Sequence, residues 1–206
     1  LTQEMFYESL KGGKDVSTSQ PSPGEVMGMW DEILAGGYDE IVHIPMSSGL
    51  SNSCEAAISL AAEYDGKVQV VDNHRISVTL RESVLEAREL AESGLSAREI
   101  KKELEERAYD SVIYIAVDTL EFLKKGGRVT PAAAALGAVL NIKPVLTIQG
   151  ERLDAFAKVR GMKKGKHRML EALKNDLATR FQGVDMSRVV IGGAGAGLSA
   201  EEEKEW

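Results

Sequence analysis

The chain has 206 residues, 43% of them hydrophobic, and a formal net charge of −7. That length can bury a sizeable core, in one large domain or two small ones, while the acidic balance argues against nucleic acid and against an electrostatic membrane dock. Cys54 is the single cysteine, so there is neither a disulfide framework nor a thiolate metal cage. No apolar run approaches a membrane span and no signal-peptide pattern opens the chain, so the expectation is a cytoplasmic setting without a transmembrane segment.

Thr2 caps a short helix to Leu10, which Lys11-Gly-Gly-Lys14 stops. The loop Asp15 to Pro23 carries two prolines and the hydroxyls of Ser17, Thr18, Ser19 and Ser22. In its plain reading Ser22 caps the next helix, with Pro23 at the first position and the other hydroxyls solvated. That helix runs to Leu34 with Val26, Met29, Trp30, Ile33 and Leu34 inward, and Gly36-Gly37 ends it.

Glu40 to Met46 is a short β-branched run and predicts a buried strand. Ser47-Ser48-Gly49 breaks it, and from Ser51 a helical pattern follows with Ala56, Ala57, Leu60 and Ala61 on one side. A strand that runs through a small-residue turn into a helix start gathers hydroxyls and free backbone N–H groups. This is where open α/β sheets bind ligands, and the helix end favours a negative group. The spacing therefore points to an anion held by serines and amides. Lys67 to Asp72 is the next strand and places Asp72-Asn-His74 at the same edge. Helices follow over Ile76 to Ser93 and from Ser96 to Arg107, the second with Glu99 completing a capping box. The alternation predicts a parallel, helix-covered sheet.

Asp110 to Val117 predicts a strand and the start of a second domain, giving 1–109 and 110–206. Asp118 to Lys125 is a helical turn or two, closed by Gly126-Gly127, with Arg128 on the turn. Thr130-Pro131 opens an apolar helix over Ala132 to Leu140. Pro144 to Gln149 and Leu153 to Val159 read as a hairpin, so the second sheet is mixed or antiparallel. Lys163 to Phe181 is an amphipathic helix, Arg188 to Gly193 a strand, and Ser199 starts a last helix. The start at Leu1 and the end at Glu201 to Trp206 both read as truncation.

Three motifs fail. Gly161-Met-Lys-Lys-Gly-Lys-His167 is one residue short of a phosphate loop and reads as a basic helix start. Gly195-Ala-Gly-Leu-Ser-Ala200 matches the relaxed dinucleotide pattern, but the chain ends before an acidic ribose partner. Met46-Ser-Ser-Gly49 lacks the glycine of a nucleophile elbow. His43, His74 and His167 show no ligand spacing, so no metal is expected.

Thr18-Ser-Gln-Pro-Ser22, Ile44-Pro-Met-Ser-Ser-Gly-Leu-Ser51, Leu120-Glu-Phe-Leu-Lys-Lys-Gly-Gly-Arg-Val129 and Ala135-Leu-Gly-Ala-Val-Leu-Asn-Ile-Lys-Pro144 resemble the DegV family, in order and across nearly the whole chain. The resemblance implies a fold of two α/β domains with a long-chain fatty acid, such as palmitate, in a tunnel between them. It implies no catalysis and no cofactor. The protein would be the binding subunit of a bacterial fatty acid kinase, presenting the carboxylate to a separate ATP-binding subunit for acyl-phosphate formation. On that resemblance Thr18 and one of Ser47 and Ser48 bind the carboxylate. Arg128 sits near the head group or the kinase interface, its alternative being a surface salt bridge. Ile44, Ala133, Leu136 and Leu140 line the tunnel, their alternative being plain core.

The chain departs from the family pattern in several places. The N-terminal strand and a C-terminal histidine near the carboxylate are missing. Ser51-Asn-Ser53 replaces Ser-Gly-Thr, and Thr79-Leu-Arg-Glu-Ser83 is bulkier than usual and could narrow the pocket. Two other functions stand beside the carrier: a small-molecule enzyme, kinase or serine hydrolase, on an α/β scaffold, and an interaction module whose serine loop contacts a protein.

Overall fold

The computed structural model describes residues 2–136, 142–148, 152–195 and 201. Helix α1 (Gln3–Lys11) is capped by Thr2, whose hydroxyl accepts the Met5 N–H at 3.3 Å. Helix α2 (Pro23–Ala35) starts in a full capping box: Ser22 Oγ accepts the Glu25 N–H at 3.3 Å, and Glu25 accepts the Ser22 N–H at 2.8 Å.

Strands β1 (Ile41–His43) and β2 (Val68–Val70) pair in parallel, Ile41 opposite Val68 and His43 opposite Val70. Between them lies α3 (Ser53–Ala61) with a short 3-10 turn at its end. Both strands are shorter than their β-branched runs. Pro45 has no N–H to donate, so the ladder cannot continue past Ile44. On the partner, Val71 N–H still reaches His43 O at 2.9 Å, but Asp72 N–H turns away to Glu105 Oε1 at 3.1 Å.

Alternation along β1 distributes its side chains between two cores. Ile41 joins Trp30, Cys54, Ala57, Val68 and Val70 on the α2–α3 side. Val42 and Ile44 pack on the other side with Val71, Ala87, Ile100 and Leu104, under α4 (Ser77–Glu92) and α5 (Ala97–Glu106). Helix α5 begins in the expected capping box of Ser96 and Glu99.

The second sheet is antiparallel, with β4 (Ile142–Ile148) between β3 (Ile113–Ala116) and β5 (Asp154–Arg160) and a bulge between Val145 and Leu146. Short helices α6 (Glu121–Lys125) and α7 (Pro131–Ala135) lead into it, and α8 (Met162–Ala178) packs on β3 to β5. Gly165 permits that approach: a Cβ there would lie 3.4 Å from Ala116 Cβ and 3.5 Å from Val159 Cγ2.

One expectation of chain order changes. The run Arg188 to Gly193 is not a strand: a 3-10 turn over Met186–Arg188 is followed by chain that joins neither sheet, with Val190 and Ile191 exposed. A β-branched run favours extended backbone, but only a neighbouring ladder makes it a strand. Gly192 instead lies against α4, where a Cβ would meet Val78 Cγ1 at 2.6 Å. Residues 137–141, with the end of the expected Ala132 to Leu140 helix and the site candidate Leu140, lie outside the described residues, as does the start of the expected final helix at Ser199.

Candidate functional site

Polar groups converge at the carboxyl ends of β1 and β2. Ser47 forms the hub of a tight turn: its carbonyl accepts the N–H groups of Leu50 at 3.0 Å and Ser51 at 3.1 Å, and its own N–H reaches Arg75 O at 3.0 Å. Its side chain is 1% exposed, yet among the described residues Oγ has no hydrogen-bond partner. Buried hydroxyls are nearly always satisfied, so this group stands out among the buried polar atoms of the edge. Ser48 is half-buried, and its N–H donates to Asp72 Oδ1 at 3.3 Å.

The β2 side of the edge carries a buried network that sequence reading missed. Asn73 Nδ2 donates to Ser83 Oγ at 2.8 Å, and Arg75 Nη1 reaches the same oxygen at 3.1 Å. Arg75 Nη2 donates to Arg107 O at 2.7 Å. Asn73 Oδ1 and Arg75 Nε lack partners among the described residues. Burial pushes the Arg75 pKa down, with Glu86 and Asp110 acting against that. Of the bulky Thr79 to Ser83 stretch, Arg81 turns to solvent beside Glu82 while Ser83 is fully buried. An Asn and a Ser ten residues apart carry no local signal, because a strand end and a helix must first be packed together.

Apolar groups begin one turn away. Leu50 is buried in one cluster with Leu120, Val129, Ala133, Leu136, Leu146, Ile148 and Leu153, with Ile76 against it. The structure thus brings Ala133 and Leu136 to the serine turn through Leu50, whereas Ile44 faces the separate α4–α5 core. Arg128 closes the arrangement. Its Nε donates to Leu50 O at 3.1 Å and its Nη1 to Gly126 O. The expected alternative for Arg128, a salt bridge, has no counterpart among the described residues. Thr18 is exposed, and its hydroxyl has no partner among the described residues. Its loop is tied to α6 by the Asp15–Lys125 ion pair.

A small pocket opens beside this edge, lined by Gln20, Pro21, Val26, His43, Ser53 and Leu60 among others. His43 Nδ1 accepts the Trp30 Nε1–H at 3.3 Å, and burial pushes its pKa below the ordinary 6.5. Native His43 therefore binds a proton less readily than unfolded His43. Well above pH 6.5 both are neutral and the group adds no pH dependence. As pH falls below that value the unfolded chain takes up the proton first, and stability declines until the native residue also protonates. Urea midpoints measured across this window should drop on acidification, and His43→Gln should reduce that drop. Cys54 is no nucleophile: burial, with Asp72 and Glu55 nearby, pushes its thiol up to about 12. Among the described residues no cluster of His, Cys, Asp and Glu could hold a metal.

The family described as "Uncharacterised protein, DegV family" matches residues 1–204. The chain belongs to the DegV family. A DegV domain-containing protein of Deinococcus radiodurans is 39% identical over 165 residues, 80% of this chain and 58% of that protein. Two solved DegV structures superpose well. One reports fatty acid binding by a DegV family protein of Thermus thermophilus, with a TM-score of 0.76, 36% identity, and 85% of this chain and 62% of that chain covered. The other is DegV of Bacillus subtilis, described as a fatty acid binding protein, with a TM-score of 0.70, 33% identity, and 84% and 62% covered. The chain thus spans about three-fifths of the DegV proteins it matches. The two sheets, one parallel and one antiparallel, agree with the DegV-like α/β fold expected from the sequence.

Proposed function

We propose that this DegV protein is a carrier without catalytic residues that binds a long-chain fatty acid in the cytoplasm. Its two α/β units, 1–109 and 110–206, hold the acyl chain between them. They present its carboxylate to the ATP-binding subunit of a fatty acid kinase, where acyl-phosphate forms. The observation that carries the reading is the buried, unpartnered Ser47 hydroxyl beside Ser48, one turn from an apolar cluster that includes Ala133 and Leu136. A fatty acid needs this pairing of polar and apolar surface: hydroxyls and amides for its head, aliphatic walls for its tail. Fatty acid binding by the Thermus and Bacillus relatives supports the same assignment.

Ser47 and Ser48 take the carboxylate, and Thr18 reaches it from its exposed loop. Ala133 and Leu136 line the acyl path. Arg128, by gripping Leu50 O, holds the kinase-facing rim to the head-group turn. Burial at about 25 cal/mol per Å² of apolar surface supplies most of the affinity.

Native mass spectrometry of freshly purified protein, followed by extraction, should find a stoichiometric fatty acid. Thr18→Ala combined with Ser48→Ala should weaken its affinity at least about a hundredfold, the scale of two lost hydrogen bonds to a charged group at about 1.5–3 kcal/mol each, and so reduce its occupancy. Unchanged occupancy in the double variant rules out these head-group residues.

A further inference from the structure

At the serine edge one contact has no place in simple carboxylate binding: the chain supplies a carboxylate of its own. Asp72 Oδ1 accepts the Ser48 N–H at 3.3 Å and the His74 N–H at 3.4 Å, and lies 3.5 Å from His74 Nδ1. The Asp72 and His74 side chains are only 20% and 24% exposed. His74 holds a left-handed backbone, φ 57°, which turns the chain so that its ring and its N–H both face Asp72. Its ring also lies against Tyr109, centroids 5.8 Å apart. Such a conformation at a residue other than glycine marks a turn the surroundings impose.

The charged groups around the pair are few. Behind Asp72, Glu105 accepts the Asp72 N–H, and Lys101 lies 3.5 Å from Glu105 while donating to Val70 O. From α3 the buried Cys54 is close enough to Asp72 to feel its charge. From the following loop, Arg75 directs its guanidinium away, to Ser83 and Arg107 O. Among the described residues the His74 imidazole is thus the group placed to compensate Asp72 directly.

A ligand carboxylate at Ser47 and Ser48 brings a second negative charge to an edge that already holds Asp72. Neighbouring like charges disfavour each other, and a nearby cation relieves both. We propose that Asp72 and His74 are specificity-determining residues of this edge: they make it take a carboxylate together with a proton on His74, while an uncharged head group binds alike at every pH. This rests on the proposed placement of the carboxylate. Asp72 has two roles that separate chemically. Its oxygen positions the Ser48 N–H, and its charge sets the proton coupling. Linkage makes the effect reciprocal: protonation of His74 tightens carboxylate binding, and carboxylate binding favours that proton.

The test compares dodecanoate with dodecanol on delipidated full chain, from about pH 8.5 to about pH 5.5. Dodecanoate affinity should rise about tenfold on acidification, within the usual range of coupling between two sites, and dodecanol affinity should stay flat. Asp72→Asn keeps an acceptor for the Ser48 N–H but removes the charge. It should bind dodecanoate more tightly than the wild type at the alkaline end and gain less on acidification, because the like charge is gone while His74 remains. His74→Asn suits the left-handed backbone and cannot titrate in this range. It should stay at the weak, alkaline level throughout. Equal pH profiles for the two ligands in the wild-type chain overturn the inference without any variant. So does an Asp72→Asn profile that still follows the wild type. Wild-type protein that binds neither ligand overturns the carboxylate placement itself, and the inference with it.

Discussion

Trp30→Ala should lower stability by about 3–5 kcal/mol, the range for truncating a large buried aromatic. Trp30 is 0% exposed and sits at the centre of the α2–α3 core with Ile41, Cys54, Ala57, Val68 and Val70. Its ring meets His43 and Tyr64 edge to face, each with centroids 5.3 Å apart. Its Nε1–H satisfies His43 Nδ1. The substitution therefore opens a cavity and strands a half-buried acceptor together. Trp30→Phe separates the two losses, because it retains most of the packing and removes only the donor. Urea denaturation followed by circular dichroism checks both. The alanine variant should lose most of the midpoint, and the phenylalanine variant about 1–3 kcal/mol, the penalty of an unsatisfied buried group. A fully stable alanine variant would contradict the central position of Trp30.

Leu146→Ala should cost about 2–5 kcal/mol, with a second consequence that Trp30 does not share. Leu146 is 0% exposed on the middle strand β4, opposite Ile115 and Ala155, next to the bulge after Val145. It belongs to the cluster that joins Leu50 and the serine turn to Ala133 and Leu136. On the proposed function the space it vacates lies along the acyl path, so the variant should retain longer or branched fatty acids relative to the wild type. Added fatty acid should also raise its melting temperature more than that of the wild type, because ligand binding only to the native state recovers stability by mass action. Lipid extraction and thermal melts with and without ligand read the two effects separately. A Leu146→Ala protein with lowered stability but an unchanged lipid profile would place the acyl chain away from this cluster.

The parts of the fold legible in the sequence were those whose causes are local. The Ser22–Glu25 and Ser96–Glu99 capping boxes, and the Thr130 cap followed by Pro131, satisfy helix N–H groups with residues three apart. The β4–β5 hairpin was readable from its turn and flanking runs, and the parallel pairing of β1 and β2 from the helix between them. The serine turn was readable as well, because small hydroxyl residues between a strand and a helix have few other uses. Strand ends were not readable, since they depend on where each N–H finds an acceptor: Ser47 at Arg75, Asp72 at Glu105.

Within the site, the sequence by itself determined which residue types stand at the edge, and the family pattern determined their proposed roles. Only the tertiary structure decided which of them meet. Two-residue alternation placed Ile44 on the α4–α5 side of the sheet, apart from Ala133 and Leu136. Packing buried the Ser47 hydroxyl without a partner and left Thr18 exposed. Arg128 reached across 78 positions to a backbone carbonyl, an acceptor that every residue carries and no motif can mark. Asp72 and His74 met through a left-handed turn that side-chain pattern does not encode. Local propensity is a property of neighbours in the chain, whereas burial and hydrogen-bond pairing are properties of neighbours in space.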